Sequence, residues 1–124
     1  AVLVEDTSLV INALGNLPGP FIKWFLRELN NKGICNLVDN YRTRDATVTV
    51  LFGYYDGSIF ETFEGQVNGT IAKYPSTNTN FGWNPIFIPN GQNKTYAEMD
   101  INELEEFSMR KLAIIKLEEF LKSI

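Results

Sequence analysis

Ala1-Val2-Leu3-Val4-Glu5-Asp6-Thr7-Ser8-Leu9 is the stretch whose reading decides the fold: an apolar, β-branched run meets two adjacent carboxylates. The run predicts a buried-type strand ending at Glu5-Asp6. In an open α/β sheet, ligands and metals sit just beyond the carboxyl ends of strands, so the pair marks a candidate site. With nothing in front of Ala1, that site is expected to hold only its downstream half.

Working outward, Leu9 to Leu14 leads into the turn cluster Gly15-Asn16-Leu17-Pro18-Gly19-Pro20, and Pro20 suits the first position of a helix. Phe21, Trp24, Phe25 and Leu29 recur at helical spacing, which predicts an amphipathic helix from Pro20 to about Asn30, ended by Asn31-Lys32-Gly33. A short second helix follows, with Ile34, Leu37 and Val38 inward. Thr47 to Tyr55 and Ser58 to Phe63 read as antiparallel strands joined by a type I′ turn at Asp56-Gly57. Gly65 to Ala72 reads as a further strand whose glycines mark bends or close approaches. Tyr74 to Asn80 is a polar loop and Ile86-Phe87-Ile88 a short buried strand. Ser108 to Lys122 forms a last helix, with Ala113, Leu117, Phe120, Leu121 and Ile124 on one stripe.

The chain has 124 residues, 44% of them hydrophobic and 13% aromatic, which makes 1–124 a single domain with one core. A net charge of -4 argues against a strongly basic nucleic-acid footprint. Cys35 is the only cysteine and there is no histidine, so internal disulfides are excluded and the commonest metal ligand and general base are missing. A cytoplasmic protein without a transition-metal cage is expected. The triplets Asn68-Gly69-Thr70 and Asn93-Lys94-Thr95 match a glycosylation acceptor, but no other feature points to secretion. No apolar run approaches the roughly 20 residues that span a bilayer, so no membrane partner is expected.

Three motifs could carry chemistry. Glu5 and Asp6 could hold Mg²⁺ through oxygen and orient a water towards a phosphate; the plainer reading has Asp6 capping a turn at Thr7-Ser8. Phe81-Gly82-Trp83-Asn84-Pro85 could sandwich a flat heterocycle between aromatic faces, or could be a core aromatic pair beside a turn. Ser108-Met109-Arg110 offers a hydroxyl and a guanidinium at a helix start, where an anion is welcome, or an ordinary N-cap.

Taken in order, these motifs resemble the inosine triphosphate pyrophosphatases, the eukaryotic branch most closely. The matching stretches are Val2 to Leu9, Asn12 to Gly15, Leu17 to Leu26, Phe81 to Phe87 and Thr95 to Met99. The resemblance implies an α/β fold with a mixed twisted β-sheet flanked by helices, lacking that family's first strand and phosphate loop. It implies a Mg²⁺-dependent split of ITP, dITP or XTP into monophosphate and pyrophosphate. Asp6, with Glu5 beside it, would be the catalytic or metal-linked carboxylate, and Phe81, Gly82, Trp83, Asn84, Ser108 and Arg110 would bind the base.

Departures from the pattern also count. Met109 stands where that family has a base-reading His, Leu104 where it has a Lys, Glu105 where it has an Asn, and Asn84 where it has an Asp. With the phosphate loop absent and Glu98, Asp100, Glu103, Glu105 and Glu106 forming an acidic rim, a polyanion should be held poorly. The expectation is therefore a non-catalytic structural or interaction subunit without a cofactor. Another chain or a large complex would cover the truncated edge, with a homodimer and residual purine-nucleotide binding as further expectations. The alternative is an active Mg²⁺ enzyme whose missing segment is supplied elsewhere.

Overall fold

The structure is a computed structural model, which describes residues 1–79 and 82–124. Its strands are β1 (Val2–Ile11), β2 (Pro18–Gly19), β3 (Asp45–Tyr55), β4 (Phe60–Ile71) and β5 (Phe87–Pro89). Its helices are α1 (Ile22–Val38), α2 (Ile101–Glu106) and α3 (Met109–Ser123). The strands form one sheet in the order β2-β1-β3-β4-β5, and every ladder is antiparallel. The α/β class is as the resemblance implies, but the sheet is antiparallel throughout rather than mixed.

Several local expectations change. β1 does not stop at Glu5-Asp6 but runs to Ile11, because its ladder with β3 continues unbroken from Val2↔Tyr55 to Ile11↔Ala46. The two carboxylates therefore sit mid-strand, and no turn begins at Thr7-Ser8. Ser58–Phe63 and Gly65–Ala72 are not two strands; residues 60–71 form one. Of the turn residues only Gly57 has a positive φ (97°), whereas type I′ needs two such residues. Asp56 acts instead through its carboxylate, which accepts the N–H of Ser58 and of Ile59. The helix break falls at Asn30 (φ 60°), a conformation that asparagine enters more readily than most residues.

The pleat sends alternate residues to opposite faces. Leu9, Ile11, Ala46 and Val48 pack with Ile34, Cys35 and Val38 of α1, while Val50 and Phe52 pack with Ala113 and Leu117 of α3. Both long helices thus cover the same face. Val4, Leu51 and Tyr55 point the other way and are exposed. In α3 the stripe is narrower than expected, with Leu121 and Ile124 exposed, as are Phe21, Trp24 and Leu29 of the first helical region.

Gly65 sets how closely α3 lies on the sheet. A Cβ there would stand 1.9 Å from the Met109 carbonyl oxygen, so the first turn of α3 rests directly on β4. At the far end Arg44 joins helix to sheet: its guanidinium donates to the carbonyls of Ile71, Cys35 and Ala72 and pairs with Asp39 at 2.6 Å.

Candidate functional site

Each wall of the main cleft has a local cause. The segment Thr95–Phe107 is built from consecutive caps: Thr95 and Glu98 form one capping box, and Asp100 and Glu103 another that opens α2. Glu103 also pairs with Lys94 at 3.1 Å. Ser108 then caps α3, its Oγ accepting the N–H of Arg110 at 3.1 Å and of Lys111 at 3.3 Å. Three of the acidic rim residues are thus occupied as helix caps rather than held as free charge. α2 and its caps went unrecognised in the sequence reading, although Asp100-x-x-Glu103 is a legible capping-box spacing.

This frame borders a cleft of about 700 Å³ that brings together Gly82, Trp83, Asn84, Ser108 and Arg110 with Thr7, Tyr96, Leu104 and Met109. Five of the expected base-binding residues therefore share one concavity. The sixth, Phe81, lies outside the described residues. Trp83 is only 7% exposed and packs edge-on to Phe87 and tilted to Tyr96, so it serves as a buried wall rather than an open stacking blade. Tyr96 donates its hydroxyl to the Phe107 carbonyl at 2.7 Å, and burial holds its phenol far above the usual range.

Glu5 and Asp6 part company. Glu5 shares the face of Thr7 and Leu9, and its Oε2 accepts from Arg110 Nη2 at 3.1 Å. Asp6 points to the opposite face and is exposed, its Oδ1 accepting its neighbour's Thr7 N–H at 3.1 Å. The pair does not fit one shared ion. Asp6 alone fits the mode in which Mg²⁺ takes one carboxylate and completes its shell with water and phosphate oxygens. Among the described residues no cluster of three or more acidic, Cys or His side chains could hold a metal.

A second cleft of about 490 Å³ shares Gly82 and Trp83 with the first and is bordered by Lys23, Leu26, Arg27 and Asn30. The Arg27 guanidinium lies 4.7 Å from the Trp24 ring centroid. Lys23 and Arg27 were missed as site residues. Their spacing of four places them on one helix face, a signal that the aromatic pattern masked.

The Ham1 family profile matches residues 1–120. An inosine triphosphate pyrophosphatase of Schizosaccharomyces pombe is 43% identical, with 98% of this chain and 65% of that protein covered. One from Neurospora crassa is 46% identical over 96% of this chain and 62% of its own length. A dITP/XTP pyrophosphatase of Saccharolobus solfataricus is 38% identical over 98% of this chain and 64% of its own length. The Staphylococcus aureus Ham1 protein superposes with a TM-score of 0.86 at 26% identity, covering 98% of this chain and 67% of that one. The chain thus spans 62 to 65% of the length of these curated relatives.

These relatives overturn the expectation of a non-catalytic interaction subunit, since proteins 38 to 46% identical over nearly all of this chain are named as pyrophosphatases. The physical ground for that expectation also weakens. Glu98, Asp100 and Glu103 are spent on caps and on Lys94.

Proposed function

The chain belongs to the Ham1 family, and from that premise we propose that it hydrolyses non-standard purine nucleoside triphosphates such as ITP, dITP and XTP to the monophosphate and pyrophosphate. The observation that carries this reading is the meeting of Gly82, Trp83, Asn84, Ser108 and Arg110 in one cleft large enough for a purine nucleoside.

The chain's own residues supply the following. A hydroxyl has one proton and two acceptor lone pairs, and both acceptor positions of Ser108 are taken by the first N–H groups of α3. Only its O–H is left, so Ser108 recognises an acceptor such as a purine 6-keto oxygen and gives nothing to a 6-amino group. Arg110 adds further donors, and Trp83, Tyr96, Leu104 and Met109 exclude water around the ring. Lys23 brings positive charge to the neighbouring cleft. Asp6 would hold Mg²⁺. That ion, when bound, neutralises phosphate charge and lowers the pKa of an attacking water.

Pyrophosphate release from ITP by the purified protein with Mg²⁺ tests the proposal. Activity that Asp6→Asn abolishes supports it. Absence of hydrolysis together with absence of IMP binding refutes it.

A further inference from the structure

Resting on the reading of the main cleft as a purine site, we propose that Glu5 and Phe52 form a seat that aims Arg110 at the base, making Glu5 a positioning residue rather than a metal ligand. Glu5 and Phe52 are direct partners across the β1–β3 ladder, so their side chains rise side by side from one face of the sheet. Both reach Arg110. Its Nη2 lies 3.1 Å from Glu5 Oε2, and its guanidinium carbon lies 5.9 Å from the Phe52 ring centroid. Phe52 is 4% exposed and locked in the core under α3, so its ring is a fixed platform.

A guanidinium has a planar fork of five N–H donors, and a holder that uses one edge and one face leaves the remaining donors directed outward. Thr7, the next residue on that face of β1, lines the cleft, which places the seat at its rim. Arg110 itself is a long, largely exposed side chain on the first turn of α3. Without the seat it would have to be ordered by each incoming base, at the expense of affinity. The strand pleat therefore gives the two adjacent carboxylates separate duties: Glu5 serves the base cleft, and Asp6 faces the other side.

The test is calorimetric titration of the protein with IMP at low salt, using Glu5→Gln, Arg110→Ala and the double variant. Glu5→Gln should weaken IMP about threefold, the size expected for a partly exposed charge pair. Arg110→Ala should weaken it by about tenfold or more. In the Arg110→Ala background Glu5→Gln should have no further effect, which a merely structural role of Glu5 would not produce. A parallel titration with Mg²⁺ alone should be unchanged by Glu5→Gln. If the wild type binds no IMP, the purine reading and the seat fall together. If it binds and Glu5→Gln binds equally well, or if Glu5→Gln weakens Mg²⁺ binding instead, the seat alone is overturned.

Discussion

Gly65→Ala is the perturbation that most directly probes how the cleft is held. The added methyl would stand 1.9 Å from the Met109 carbonyl oxygen and 2.8 Å from the Ala113 nitrogen, both backbone atoms that no rotamer change can move. Ordinary contact needs about 3.5 Å, so α3 must lift from β4 by well over an ångström. That shift opens the packing of Ala113 and Leu117 on Val50 and Phe52. Overpacking typically costs 1–3 kcal/mol, and with two backbone clashes the upper end, about 3 kcal/mol, is expected. For a chain of this size the unfolding midpoint should drop on the order of 10 °C. Because Ser108 and Arg110 ride on the same turn, IMP affinity should fall in protein that is still folded at low temperature. Circular dichroism melts and calorimetry measure both. Gly82→Ala is the control for stability, since a Cβ there meets nothing within 4 Å among the described residues. A Gly65→Ala protein that melts with the wild type would show that α3 does not press on β4, and the account of the cleft wall would fail.

Arg44→Met should cost about 2–3 kcal/mol, because three backbone carbonyls each lose a donor and Asp39 its partner; urea melts check this. Ser108→Ala should lose about 1 kcal/mol of helix capping and, separately, narrow the preference for IMP over AMP, as paired titrations would show. Burial pushes the Cys35 thiol up to about 11, so at pH 8 only about one thiol in a thousand is ionised. Iodoacetamide should therefore leave native Cys35 unmodified and label it once urea unfolds the chain, a difference read by mass. Its reactivity should rise as pH climbs towards 11, provided the fold opens enough to admit the reagent.

Much of the site was legible because its residues lie in short, chemically distinctive runs. Phe81 to Pro85 and Ser108 to Arg110 can be picked out without knowing where they meet, and seven of their members do meet. What stayed hidden was set by tertiary geometry. The end of β1 could not be read from Glu5-Asp6, because a polar pair inside a strand is stabilised by its ladder with β3, which lies some forty residues downstream. The exposure of Phe21, Trp24 and Leu29 runs against local periodicity, since Ile22, Phe25 and Leu26 provide the face that packs against the core. The acidic stretch misled for a different reason. Counting charge treats each carboxylate as a free monopole, whereas Glu98, Asp100 and Glu103 accept N–H groups at helix starts.

That last difference bears on the electrostatics of the whole rim. A carboxylate accepting backbone N–H donors at a helix N-terminus sits in the favourable field of those donors, so part of its charge is answered locally. Glu103 is answered twice, by its capping box and by Lys94. Glu105 and Glu106 remain as exposed charge, and neither lines the main cleft. Within the cleft wall the charged side chain is Arg110, with Glu5 against it, while Leu104 and Met109 contribute apolar surface. Leu104 and Met109 thus add no repulsion to the wall. On the proposed reading, Ser108, Arg110 and Asn84 would recognise the base in a largely apolar surround, where each hydrogen bond carries a larger share of the discrimination than it would beside water.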